Sequence, residues 1–178
     1  VYAERRAQLP ARDGRVRRVL IYFGGGADAA NLTRLAVQAF QAPELAHIGL
    51  DILLGAAYAH QSSLEELAAQ RGNTTIHQQL PDLADLMAKA NLAIGAGGAT
   101  TWERCCMGLP SVIICTADNQ INACEALAAD GLVRYLGQFN TVTSDRITEE
   151  ALLLVSAPDQ LGRYSLKCRR LVDGRGAG

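Results

Sequence analysis

The sequence predicts an α/β fold: a doubly wound parallel sheet of about six strands. Three observations carry the prediction. Short, nearly continuous apolar runs recur along the chain, as buried parallel strands require. Stretches with helical spacing of apolar residues separate these runs. Glycine clusters stand where two of the runs end, Gly24-Gly25-Gly26 and Gly95-Ala96-Gly97-Gly98.

Residues 1–17 are polar, arginine-rich and interrupted by Pro10 and Gly14, and read as a linker or short helix. RVLIYF (18–23) is the first strand. A helix follows, with Leu32, Leu35, Ala36, Ala39 and Phe40 on one face and Asp28 as its expected N-cap. HIGLDILLG (47–55) is the second strand. Ser62 with Glu65, and Ser63 with Glu66, offer capping boxes for a helix to about Ala69. NTTIHQ (73–78) is a third, short strand, and Pro81 marks the expected start of the next helix. NLAIGA (91–96) is the fourth strand, and GGATTWERCCMG turns into a helix that ends at Gly108. SVIICT (111–116) is the fifth strand, Asn119–Ala129 a helix, and LVRYLG (132–137) the sixth strand. Two helices, around 148–156 and 158–173, close the chain.

Charge and composition exclude several function classes. The 178 residues hold 17 Lys+Arg and 18 Asp+Glu, a net charge of −1. No global basic field exists to hold nucleic acid. The balance is uneven: six arginines stand in residues 1–18, five basic residues in 161–178, and the middle is acidic. Basic ends of this kind read best as solvated linkers. No apolar run approaches the ~20 residues of a membrane span, and VYAERRAQLP lacks a signal-peptide core. The five cysteines, odd in number and irregularly spaced, suggest no disulfide framework and fit a reducing, cytoplasmic setting. Cys105 and Cys106 read as small core residues, and Trp102 as a core aromatic. No metal site and no cofactor is expected, since neither CxxC nor HxxxH occurs.

The chemistry concentrates at the strand ends. In NLAIGAGGATTWE (91–103) a buried strand leads through glycines straight into a helix start. Glycine lets a backbone approach a ligand closely, and the free N–H groups of the turn favour an anion. Gly97, Gly98, Ala99, Thr100 and Thr101 are therefore candidate phosphate-binding residues, the threonines with hydroxyls to add. Glu103, one turn in, is placed to accept hydrogen bonds from a ribose diol. The plainer reading makes these glycines a tight turn, a threonine the N-cap and Glu103 a first-turn acid. Gly24 and Gly25 form a second such turn, which matches neither GxGxxG nor the Walker pattern. Asn119 and Gln120 follow the fifth strand, where amides suit sugar hydroxyls or simply cap a helix. Of His47, His60 and His77, only His60 lies at a ligand-facing end, and no acid or nucleophile neighbours it. No Ser/His/Asp order or GxSxG elbow is present.

IGAGGATTWERCCMGLPSVIICTADNQ (94–120) resembles the C-terminal half of the PseG-type UDP-sugar hydrolases of the pseudaminic acid pathway, often labelled spore coat polysaccharide biosynthesis proteins. VLIYFGGGADAANLT (19–33), LGAAYAH (54–60) and CRRLVDGRGA (168–177) resemble the same family. The half is more distantly similar to the donor-binding domain of MurG-type glycosyltransferases. The resemblance implies a Rossmann-like domain, the C-terminal half of a GT-B fold, with residues 1–17 as interdomain linker and 18–178 as the nucleotide-sugar-binding domain. It implies that the 97–101 turn holds the UDP diphosphate with Gly24 and Gly25 close by. It also implies that Glu103 holds the ribose, that the backbone at Leu80 reads uracil, and that Asn119 and Gln120 lie toward the sugar. It implies no catalytic residue in this chain: the base is expected on an N-terminal domain that nothing here matches. A donor-binding half of a UDP-sugar glycosyltransferase is the second reading. A non-catalytic interaction module is the third.

Overall fold

In the computed structural model, which describes residues 1–28 and 30–173, the six strands form one fully parallel sheet of order β3-β2-β1-β4-β5-β6. The strands are β1 (Arg18–Tyr22), β2 (Gly49–Leu54), β3 (Thr74–Gln78), β4 (Leu92–Ala96), β5 (Ser111–Cys115) and β6 (Arg134–Gln138). The chain winds outward from β1 to β3, then crosses back to β4 and winds the other way. The switch point of the sheet therefore lies between β1 and β4, which pair from Val19 opposite Leu92 to Tyr22 opposite Gly95.

The helices are α1 (Tyr2–Ala7), α2 (Leu32–Ala39), α3 (Gln61–Arg71), α4 (Ala84–Lys89), α5 (Thr100–Cys106), α6 (Ile121–Ala129), α7 (Ser144–Val155) and α8 (Pro158–Leu171). They cover both faces of the sheet because strand side chains alternate between faces. Val19, Ile21, Leu50, Ile52, Leu92 and Ile94 pack against α2, α3 and α7 in the larger core. Leu20, Leu53 and Ala93 point the other way, onto α4. Farther along that face Ile113 and Cys115 meet Cys124 of α6 and Cys168 of α8. All five cysteines are free and buried, Cys105 and Cys106 included.

Strand positions and turn glycines follow the sequence closely, but the helix starts do not. The α2 N-cap is Asn31, in a left-handed conformation at φ 52°. Asp28 still satisfies the helix end from three residues further out, its carboxylate accepting from the Leu32 N–H (2.9 Å) and the Thr33 N–H (2.8 Å). Neither expected capping box forms at α3; its N-cap is His60, whose carbonyl accepts the Ser63 hydroxyl. Pro81 does not begin α4, which starts at Ala84 with the Asp82 carboxylate accepting the Ala84 N–H. Helix α7 begins at Ser144, capped by the Thr143 hydroxyl.

Two further corrections concern the surface. Trp102 is 49% exposed rather than in the core, because the first turn of α5 turns its Thr101, Arg104 and Cys105 side inward. The arginine-rich N-terminal segment is docked rather than solvated. Arg6 donates to the Val172 and Arg169 carbonyls, and Arg12 to those of Ala90, Met87 and Met107. These guanidiniums satisfy carbonyls at the C-terminal ends of helices, where the helix dipole also favours a cation. Across the sheet, Asp51 is buried between Arg18 and His77. Burial alone would raise its carboxyl, but hydrogen bonds from Arg18 and His77 hold it below the ordinary value. Among the described residues no helix is long and apolar enough to cross a membrane.

Candidate functional site

Because every strand runs the same way, the loops that leave their carboxyl ends share one edge of the sheet. Ligands of doubly wound folds bind in the crevice at that edge, at the switch point. Here the switch point is flanked by the two glycine turns, β1–α2 and β4–α5. The structure thus brings Gly24, Gly25 and the 97–101 turn to the same place, with Leu80 leaving β3 and Asn119 and Gln120 leaving β5 along the same edge.

The β4–α5 turn is tightly built. Gly95 and Gly97 have packing reasons to be glycine: a Cβ on Gly95 would lie 2.3 Å from the Tyr22 carbonyl, and one on Gly97 would lie 2.2 Å from Cys124 Sγ. Gly98 differs, since its Cβ would meet only the flexible Gln120 amide, at 3.3 Å. The Thr101 N–H donates to the Gly98 carbonyl and the Trp102 N–H to that of Ala99, closing the first turn of α5. Gly98, Ala99 and Thr100 stand ahead of that closure, where helical N–H groups lack an intrahelical acceptor. Ala99 is exposed and Thr100 half-buried. Thr101 is buried, and its hydroxyl accepts from Arg104 Nη2 at 2.8 Å. Of the two threonine hydroxyls expected to face a ligand, that of Thr101 instead points inward.

Glu103 lies one turn along α5, half-buried, and its Oε2 is a buried oxygen with no hydrogen-bond partner among the described residues. Two phenols surround this carboxylate. Burial and the proximity of Glu103 push the Tyr2 hydroxyl up to about 12 and also raise Tyr22. The Tyr2 hydroxyl accepts the Leu83 N–H at 3.2 Å, so it bridges the β3–α4 loop, which carries Leu80, to the acid on α5. Leu80 is 39% exposed.

Gln120 connects the β5–α6 loop to the glycine turn. Its Oε1 accepts from the Thr116 N–H and hydroxyl, which leaves its Nε2 beside Gly98. Asn119 is exposed in the 3-10 turn Asp118–Gln120. The β1–α2 turn is open: among the described residues no atom lies within 4 Å of a Cβ added at Gly24, at φ +102°, or at Gly26. A cleft of about 240 Å³ opens beside it, with Phe23, Asp28, Thr116 and Phe139 in its walls. His60, by contrast, serves as the N-cap of α3.

Three contributors escaped the sequence reading. Tyr2 lay in a segment taken for a linker. Gly55 supports the first glycine turn from below, since its Cβ would lie 2.5 Å from the Gly26 carbonyl. Arg104 is 2% exposed beneath the second turn. Gly55 carried a usable signal, a glycine closing a strand beside another glycine cluster; the other two carried none.

Comparison with known proteins agrees with the fold. The model of the glycosyltransferase family 28 C-terminal domain matches residues 19–167. The spore coat polysaccharide biosynthesis protein SpsG of Bacillus subtilis (strain 168) is 26% identical over 161 residues, covering 90% of this chain and 47% of SpsG. Among solved structures, Acinetobacter baumannii MurG superposes with a TM-score of 0.70 at 22% identity, over 96% of this chain and 49% of MurG. WaaG, a glycosyltransferase involved in lipopolysaccharide biosynthesis, gives 0.67 at 15% identity, over 98% of this chain and 46% of its own. The structural likenesses are likenesses of fold, that of GT-B C-terminal domains. The chain spans about half the length of the relatives it matches.

Proposed function

The chain belongs to the glycosyltransferase family 28 C-terminal domain family, and on that premise we propose that residues 18–178 bind the nucleotide part of a UDP-sugar. The observation that carries the proposal is the buried Oε2 of Glu103, unpartnered among the described residues, one turn along the helix that the β4–α5 glycine turn begins. A buried acceptor left unmade costs free energy that a donor recovers. Ribose hydroxyls are such donors, and a diphosphate attached to that ribose reaches the 97–100 backbone. Leu80 reads the base from the next loop, Gly24 and Gly25 approach the phosphates from the other side, and Asn119 and Gln120 face the sugar. Residues 174–177, the end of the 168–177 string, lie outside the described residues.

Within that reading we take the whole protein to be a UDP-sugar hydrolase of surface polysaccharide biosynthesis. Support comes from the Trp102–Cys106 string and from the named role of SpsG. Backbone donors at the turn stabilise UDP as it leaves, while a base on an N-terminal domain activates water at the anomeric carbon. The family's name and the likeness to MurG favour a second reading, transfer of the sugar to an acceptor. UDP release by the full-length protein without acceptor supports hydrolysis, and release only with acceptor supports transfer. Residues 1–17 serve as the interdomain linker, and the five free thiols fit a cytoplasmic location. The docked state of Arg6 and Arg12 weighs against a third role, a module using its basic end to bind partners.

Calorimetry tests the site directly. The chain should bind UDP, and Glu103→Ala should weaken UDP by about 1–3 kcal/mol, as expected for loss of charge-assisted hydrogen bonds. Inorganic diphosphate should be little affected. Equal losses for the two ligands would remove Glu103 from the ribose.

A further inference from the structure

Arg104 poses a problem that the family assignment does not solve. Its side chain is 2% exposed, yet among the described residues no carboxylate lies within 4.0 Å of it. Nη2 donates to the Ala96 carbonyl at 2.6 Å and to Thr101 Oγ1 at 2.8 Å. Nε is buried with no hydrogen-bond partner among the described residues. Burial pushes the guanidinium down to about 10, against the partial relief that the Cys105 thiol, Glu103 and the thiols of Cys124 and Cys168 provide. Buried charges are ordinarily paired, because an unpaired one is costly to desolvate.

The fold nonetheless makes room for this cation. A Cβ at Gly95 would lie 2.4 Å from Nη1, so the glycine keeps the guanidinium's place open. Its two acceptors, Ala96 and Thr101, are the residues that bracket the 97–100 turn. The charge is therefore held directly under the backbone read above as the phosphate site.

We infer that Arg104 is the buried counter-charge for the ligand's phosphates: a positioning residue that clamps both ends of the 97–100 turn and places a positive charge beneath it. The inference rests on the nucleotide-binding reading of the site. The class of ligand it adds is an anionic one, a nucleoside diphosphate favoured over the monophosphate and over the free nucleoside. In a buried setting the charge is weakly screened, and the anion in turn satisfies the cation that folding left unpaired.

The test titrates the full chain and two variants with UDP, UMP and uridine by calorimetry, after circular dichroism confirms folding. Arg104→Gln keeps a donor toward Ala96 but removes the charge; Arg104→Lys keeps the charge. Arg104→Gln is expected to weaken UDP on the order of thirtyfold, UMP less, and uridine less than about twofold. Arg104→Lys is expected to restore most of the UDP affinity, which a purely structural role would not produce. Losses equal across the three ligands, or a folded Lys variant as weak as the Gln variant, would overturn the inference and leave the nucleotide site standing. If Arg104→Gln does not fold, Arg104→Met, which also removes the charge, takes its place: a UDP loss much larger than the uridine loss supports the inference, and equal losses or no loss of either overturn it. A wild-type chain that binds none of the three ligands overturns the nucleotide-binding reading itself, and this inference with it.

Discussion

The two glycine turns flank the same switch point and look alike in sequence, yet they are glycine-rich for different reasons. In the β4–α5 turn the protein fills the space that a side chain would take: the Tyr22 carbonyl at Gly95, Cys124 at Gly97. In the β1–α2 turn no described residue fills it, for Gly24 and Gly26 have no described atom beside them and Gly55 presses up from below. The first turn to be read as a ligand site is thus largely a packing device that presents Gly98 to Thr100. The second has no packing reason for Gly26 among the described residues, and its open side is where a group from outside the chain could approach. A glycine cluster after a strand signals close approach, but the approaching group can be the protein itself.

This contrast can be broken by adding single methyl groups. The largest effect is expected at Gly95→Ala, where the new Cβ meets both the β1 backbone and Arg104. Overpacking of that kind should cost about 3 kcal/mol, lowering Tm by about 6–12 °C in a thermal melt without ligand. A melt unchanged from wild type would show that the β1–β4 contact yields more easily than its geometry implies. Gly55→Ala comes next. It should cost about 1–3 kcal/mol, and because it displaces the 25–26 carbonyls it should also weaken UDP binding. Gly26→Ala should have the smallest effect on stability, within about 0.5 kcal/mol, since its Cβ meets nothing. Its effect should show in calorimetry with UDP instead. If both the melt and the affinity stay at wild-type values, the β1–α2 turn is a plain connection and the contrast between the two turns loses its functional half.

The same division between local and distant causes explains what could be read in advance. Six strands, their polarity and the turn glycines were legible because apolar runs and glycine punctuation act within a few residues. Helix starts were less so. Asp28 was correctly tied to the α2 end but not as its N-cap, since Asn31 takes a left-handed conformation with Tyr58 donating to its side chain at 2.7 Å. Ser62 and Ser63 have the spacing of capping boxes, yet the N-cap of α3 is His60, two residues before Ser62, and neither box forms. Trp102 reads as a core aromatic by its type, but lies outside because the start of α5 buries Thr101, Arg104 and Cys105 instead.

By itself the sequence determined the architecture of this protein and the edge of the sheet where a ligand would bind, because both follow from strand order and from loops leaving parallel strands. It also singled out Glu103 and the 97–101 turn. Only the tertiary structure decided which groups stand around them. Tyr2 reaches Leu83 from 81 positions away, Gly95 is glycine on account of Tyr22 and Arg104, and Arg104 is a buried cation rather than a surface one. What fills the space beside a residue is set by chain segments far from it in sequence, and periodicity carries no information about them.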